Sequence, residues 1–196
     1  MSLSHPSSIP AVFLDRDGTI NEECGHIKSP QDLVLLAGAA AAIRHLNESQ
    51  YLTVIVTNQS VIARGKCTEA GMEKIHNRLL SLIGEEGASI DRIYYCPHYP
   101  DQEIPGGRQE LKIVCDCRKP KPGLIMRAAK DMNINLNLSW MVGDMTSDIE
   151  AANRAGIRSI LLSKQEGGFD NKCSVTPDAK CLDLKDAVKL ITQKIK

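Results

Sequence analysis

One feature constrains this chain more than any other: short apolar runs, each closed by a polar residue, alternate with stretches of helical period. The runs are Ile9 to Leu14 (IPAVFL), Tyr51 to Val56 (YLTVIV), Ile90 to Tyr95, Ser139 to Val142 and Ile157 to Leu162. They have strand length and too few residues for a helix. The spacers read as helices over Gly38 to Ser49, Thr68 to Gly84, Pro122 to about Asn133 and Ser147 to Ala155, with a last one carrying Leu184, Ala187, Val188 and Ile191 on one face. In the second, Met72, Ile75, Leu79, Leu82 and Ile83 hold a 3.6-residue period, and Gly84 is the expected stop. A strand apolar on both faces has to be covered on both. The alternation therefore predicts an α/β fold, a doubly wound, Rossmann-like parallel sheet. Residues 96–121 and 163–182 read as loops, the first too long to lie in a small domain without something to pin it.

Length and charge narrow the function. At 196 residues, against about 100 to 200 per domain, residues 1–196 are expected to form a single domain. No apolar run approaches the roughly 20 residues of a bilayer span, so no membrane partner is expected. Lys plus Arg and Asp plus Glu are 24 each, which leaves no net field to gather nucleic acid. Any phosphate must be met by locally placed charge. The start, MSLSHPSSIPAVFLD, has no basic segment ahead of its apolar stretch, and a cytoplasmic location is expected.

Ligands of doubly wound sheets bind beyond the carboxyl ends of the strands. The residues there are Asp15 and Asp17, Thr57 to Ser60, the CDCRKPKPG stretch, and Asp144 with Asp148. Side chains two apart on extended backbone point the same way, so Asp15 and Asp17 are expected to converge, with Gly18 allowing a sharp exit. Paired carboxylates repel unless a cation relieves them. With Asp144 they make an oxygen-rich set suited to Mg²⁺, which also binds phosphate oxygens. An EF-hand is excluded, because its obligatory Gly would fall on Ile20. The Thr57 hydroxyl and the TNQS backbone N–H groups suit a phosphoryl group, and Lys119 can balance its charge.

Cys96 and His98 are followed, after sixteen intervening residues, by Cys115 and Cys117. This is a Cys₃His set of the kind that closes a structural Zn²⁺ site, and a metal would order the long loop, about 96–118. Four protein ligands leave no open position, so the zinc is expected to organise rather than catalyse. Cys24, Cys67, Cys173 and Cys181 fall outside the set and are expected to be reduced thiols, a Cys173–Cys181 bridge being the alternative. Trp140 is expected in the core.

DRDGTIN (Asp15 to Asn21), TNQS (Thr57 to Ser60), RKPKPG (Arg118 to Gly123) and GDMTSD (Gly143 to Asp148) together resemble the four motifs of the haloacid dehalogenase superfamily of phosphohydrolases, over roughly residues 9–165. With YYCPHYP and CDCRKPKPG added, the chain is similar to its D-glycero-D-manno-heptose-1,7-bisphosphate 7-phosphatases, relatives of the histidinol-phosphate phosphatases. The resemblance implies a Mg²⁺-dependent phosphatase that removes the 7-phosphate of a sugar bisphosphate in nucleotide-activated heptose biosynthesis. It would act through an aspartyl-phosphate, with Asp15 as nucleophile, Asp17 as general acid and base, Thr57 and Lys119 holding the phosphoryl group, and Asp144 binding metal beside Asp15 and Asp17. Thr57, Asn58, Gln59, Ser60 and Lys119 would line the substrate site, Glu23, Cys24, Gly25 and His26 would touch the sugar, and Arg118 its distal part. The zinc loop is a family feature too. Thr19 to Pro30, and the segment between Thr57 and Thr68, are too short for the cap domain of many relatives, so the expectation is no large cap, an open site and a monomer.

Three departures bear on the substrate. Val61 replaces the usual Gly of TNQSGIARG, Met145 follows Asp144 where a Lys is common, and the loop from Tyr99 to Val114 is longer than usual. Histidinol phosphate is the alternative substrate. A phospho-acceptor switch domain, which also sets Asp, Thr and Lys at strand ends, would carry its acceptor on a middle strand of the sequence and has no use for a zinc loop. A zinc-organised interaction module would leave Asp15, Asp17 and Asp144 unexplained.

Overall fold

The computed structural model describes residues 8–100, 105–163 and 173–193. The reading of the extreme N-terminus and parts of the two long loops lie outside these residues. Six strands, β1 (Ala11–Leu14), β2 (Leu52–Asn58), β3 (Arg92–Cys96), β4 (Trp140–Gly143), β5 (Arg158–Leu162) and β6 (Ala179–Cys181), form one sheet in the order β3-β2-β1-β4-β5-β6. Every pairing is parallel. The helices are α1 (Ala39–Asn47), α2 (Glu69–Glu85), α3 (Gly123–Met132), α4 (Thr146–Ala155) and α5 (Leu184–Gln193). Two buried clusters flank the sheet. One joins Val12, Leu14, Ile55 and Trp140 to α1, α2 and α5; the other joins Phe13, Val54, Val56 and Met141 to α3 and α4. This is the two-faced burial that the continuous apolar runs require.

Two local expectations are corrected. Helix α2 does not stop at Gly84 but runs to Glu85, and the left-handed turn is made by Gly87 at φ 73°. A glycine inside the last turn is tolerated when the next one closes the helix. The stretch 163–182, expected to be loop, contains β6; its AKC has no apolar run and is only half buried. Thr68 does cap α2, its hydroxyl accepting from Gly71 N at 3.0 Å. Trp140 is fully buried under the Arg158 guanidinium, 4.1 Å from its ring centroid. All seven cysteines are free, so no Cys173–Cys181 bridge forms. Val61 is buried on ordinary backbone without positive φ, and its turn needs no glycine there.

The strand order reverses between β1 and β4, which places β1 centrally and opens a crevice at the carboxyl ends of β1, β2 and β4. Among the described residues, the segment between β1 and α1 holds only a short 3₁₀ turn, Pro30–Asp32, and no inserted domain covers the crevice. No described helix is long and apolar enough to cross a membrane.

Candidate active site

At that crevice lies a cleft of about 530 Å³. Asp15 follows the last residue of β1, and its Oδ1 accepts from Arg16 N at 2.7 Å and from Lys119 Nζ at 2.9 Å. Its Oδ2 has no protein partner among the described residues. Lys119 reaches in from the start of the α3 segment, fully buried, and places Nζ 2.8 Å from Val56 O, 2.9 Å from Asp15 and 2.6 Å from Asp148. Burial pulls its pKa down, but Asp148 and Asp15 outweigh burial and hold it above the ordinary lysine value. Asn58 grips the same residue from β2, donating Nδ2–H to Lys119 O and accepting from Lys119 N, both at 3.0 Å.

Asp15, Asp144 and Asp148 bring carboxylate oxygens within 4.8 Å of one another. Burial, then Asp15 and Asp148, push Asp144 up to about 8; burial also raises Asp148 against the pull of Lys119. Three acids around one lysine leave an excess of negative charge, and Asp144 Oδ1 is buried with no hydrogen-bond partner. Glycines make the approach possible: a Cβ on Gly18 would lie 2.0 Å from Asp144 Oδ2, and one on Gly143 would lie 2.2 Å from Asp148 Oδ2. An all-oxygen, over-charged donor set of this kind fits a hard divalent cation such as Mg²⁺.

The carboxylates that gather here differ from the expected metal ligands in one member. Asp17 does not bring its carboxylate to this group; Asp148 does. The chain turns sharply after Leu14, so Asp15 and Asp17 do not share an extended segment. Asp17 lines the cleft from the side, and its carboxylate accepts from Arg16 Nε (3.0 Å) and Nη2 (2.9 Å), Asn21 Nδ2 (2.9 Å) and Gln59 Nε2 (2.7 Å). Arg16 is wholly buried, and its Nη1 faces Met72 Sδ and His76 Nε2, each at 3.3 Å. His76 must accept there and stay neutral; burial and then Arg16 hold its pKa down to about 4.

The other expected residues divide by side-chain direction. Thr57, Asn58 and Ser60 line the cleft, as do Glu23, Gly25, His26, Arg118 and Lys119. Gln59 is buried and turned inward, donating to Asp17 and Thr57 Oγ1 and accepting from Arg16. Its amide is thus directed at these side chains and not into the cleft. Cys24 is exposed and does not line the cleft. Sequence reasoning missed Arg64, Tyr99, Ser147 and Cys173, which line it too. Arg64 stands in the same turn as Ser60 and Tyr99 beside a zinc-set histidine, and these were the available signals. Met145, the departure noted after Asp144, lines the cleft as well.

Cys96, at the end of β3, meets His98, Cys115 and Cys117. The Cys96–Cys115, Cys96–Cys117 and Cys115–Cys117 sulfur separations are 3.6, 3.1 and 3.3 Å, and His98 Nδ1 lies 3.6 and 3.3 Å from Cys96 and Cys117. A zinc tetrahedron with bonds of about 2.3 Å has sulfur edges of about 3.7 Å, so this cluster is close to the size that could hold the ion. Hydrogen bonding from Cys96, then Cys115 and His98, draws the Cys117 thiol down to about 5.

A family model described as HAD-hydrolase-like matches residues 116–187. The chain is 41% identical over 155 residues to the D-glycero-beta-D-manno-heptose-1,7-bisphosphate 7-phosphatase of Salmonella typhi, covering 79% of this chain and 80% of that one. It is 43% identical to the enzyme of the same name from Haemophilus ducreyi, covering 78% and 81%. The crystal structure of the D,D-heptose 1,7-bisphosphate phosphatase from B. bronchiseptica, complexed with magnesium and phosphate, superposes with a TM-score of 0.81 at 28% identity, over 95% of this chain and 99% of that one. A HAD-like phosphatase from Mesorhizobium loti gives 0.81 at 32% identity, over 98% and 90%. With carboxylates, threonine and lysine gathered at the ends of three neighbouring strands, the chain belongs to the HAD-like phosphoric monoester hydrolases, in the family of the heptose-bisphosphate 7-phosphatases.

Proposed function

We propose that the chain is a single-domain, monomeric phosphatase that removes the 7-phosphate of D-glycero-D-manno-heptose 1,7-bisphosphate in nucleotide-activated heptose biosynthesis. The observation that carries this is Asp15: one oxygen is pinned by Lys119 and Arg16 N while the other is unpartnered beside the cleft. Pinning orients the carboxylate, and the unpartnered oxygen is the nucleophile. It forms a bond to phosphorus as the bond to the sugar O7 breaks, and Asp17 supplies the proton that O7 takes up. Water then attacks the aspartyl-phosphate, Asp17 removes its proton, and inorganic phosphate leaves. Thr57 and the backbone N–H groups of Asn58 and Ser60 hold phosphoryl oxygens, the Gln59 N–H being donated to Cys96 O at 2.7 Å, and Lys119 offsets their charge. Asp15, Asp144 and Asp148 would hold Mg²⁺, which supplies further charge neutralisation at the phosphoryl group. Cys96, His98, Cys115 and Cys117 would hold a structural Zn²⁺.

The sugar enters past Glu23, Gly25 and His26, and Arg118, one residue beyond Cys117, takes its distal phosphate. Parallel steady-state assays with both anomers of the heptose bisphosphate and with histidinol phosphate test this reading. A bisphosphate anomer should give the highest kcat/KM, and a higher value for histidinol phosphate would overturn the substrate assignment.

A further inference from the structure

The cleft has two unlike ends. Its floor is acidic, with Asp15, Asp144 and Asp148 around Lys119. Its rim is basic. Arg64 and Arg118 line it, and Arg64, Lys66 and Lys28 add to burial in lowering the His26 pKa. Two guanidinium groups gather on one ring there, Arg64 Cζ at 4.1 Å and Arg118 Cζ at 5.1 Å from the Tyr99 centroid. Arg118 donates Nη1–H to His98 O at 3.0 Å. Arg64 Nε is buried with no hydrogen-bond partner, and among the described residues neither arginine has a carboxylate partner. Two like charges held near one another without a counter-charge repel; an anion between them removes the repulsion.

The placement of Arg64 is built. Its turn is closed by Arg64 N donating to Ser60 O at 3.0 Å, and the zinc loop docks on that turn through Arg108 N to Ala63 O at 2.9 Å. Gly107 makes the approach possible: a Cβ there would fall 2.4 Å from Ala63 O and 3.0 Å from Arg64 C. The turn that carries Arg64 and the loop that carries Tyr99 and Arg118 are thus packed backbone to backbone. Both cations line the same cleft.

We propose that Arg64 is a specificity-determining residue, which shares the Tyr99 ring with Arg118 and clamps the substrate's distal phosphate together with it. The clamp rests on the bisphosphate reading above and adds its second arm. A guanidinium suits the task because it can give two parallel N–H bonds to a phosphate while its face remains on an aromatic ring.

The test compares full-length enzyme, assayed with Mg²⁺, on three substrates: the heptose bisphosphate, the heptose 7-phosphate lacking the second phosphate, and an aryl phosphate. Arg64→Met should lower kcat/KM for the bisphosphate by ~10- to 100-fold, chiefly through KM, the size expected for a lost charge-assisted hydrogen bond. The other two substrates should change by less than about threefold. Arg64→Lys should recover part of the loss, and Tyr99→Leu should weaken the bisphosphate more than the other two substrates. If Arg64→Met keeps the preference for bisphosphate over monophosphate, the clamp is wrong while the substrate reading stands. If the unaltered enzyme has no such preference, the substrate reading itself fails. Equal losses on all three substrates would make Arg64 a support of the phosphoryl site and overturn the proposal.

Discussion

Asp15 and Asp17 are two residues apart, yet their surroundings give them different work. Asp15 has one oxygen fixed and one open; Asp17 is held by four donors from Arg16, Asn21 and Gln59. A nucleophile needs a fixed, unpartnered lone pair, whereas a proton carrier needs only to reach the leaving oxygen. The separation shows in variants. Asp15→Asn should form no phosphoenzyme with any substrate. Asp17→Asn should lose roughly 100- to 10,000-fold in turnover of an alkyl phosphate, the usual worth of general acid catalysis, yet still take a phosphoryl group from an aryl phosphate and release it slowly. Intact-mass spectrometry after mixing with an aryl phosphate and Mg²⁺ reads the adduct, and its location on Asp17 would reverse the assignment. The positions of both acids were legible in the sequence because they sit at strand ends. Their directions were not. Asp17 and Gln59 turn inward to serve a buried arginine, a choice fixed by Met72 and His76 on a helix more than fifty residues away. Asp148 joins the carboxylate cluster for a related reason, since only the turn from β4 into α4 brings it back beside Asp144.

At the scale of elements, the long loop after β3 shows how a segment without period becomes ordered. It leaves the sheet at Cys96 and returns at Cys117, and between them Tyr99 N bonds Leu111 O at 3.1 Å. Its described residues are further held by the four-donor cluster, by contact with the turn after β2, by the Arg108–Glu69 ion pair to α2 and by Leu111 packed against the core. Protein purified without added metal should contain about one equivalent of zinc by elemental analysis. Cys115→Ser should lose the zinc and melt earlier. Because Asp15, Asp144 and Asp148 come from other elements, that variant should lose more activity on the bisphosphate than on an aryl phosphate. Finding no zinc in the unaltered protein would refute the assignment. That Cys96, His98, Cys115 and Cys117 form one group was readable from their spacing, and the helices from their period. Strand β6 was not, because a short half-buried edge strand carries no apolar signature.

For the molecule as a whole, the buried Arg16–His76 contact ties stability to pH. The unfolded imidazole takes a proton near its ordinary pKa of 6.5, whereas the folded one resists until about 4. The unfolded state therefore binds more protons in that window, and stability present above about pH 6.5 is lost as pH falls toward 4. Between pH 7 and 5 the contribution is about 2 kcal/mol. His76→Gln, which can still accept from Arg16 but does not titrate, should flatten this part of the profile in urea unfolding; an unchanged slope would place the effect elsewhere. The doubly wound architecture was legible because continuous apolar runs admit few other folds, and the strand ends then located the cleft. The depth of the supporting polar network depends on contacts between remote segments, which periodicity does not encode. One such contact has a bearing on synthesis. Strand β1, which presents the nucleophile, pairs with β4, and Ala11 N reaches Ser139 Oγ across 128 residues. Parallel pairing at such separation is slow to close and leaves nothing local to reward it beforehand. Strand β1 can pair with β2 early, but Asp144 and Asp148 emerge only after about three quarters of the chain has been made, so the full acid cluster assembles late in synthesis.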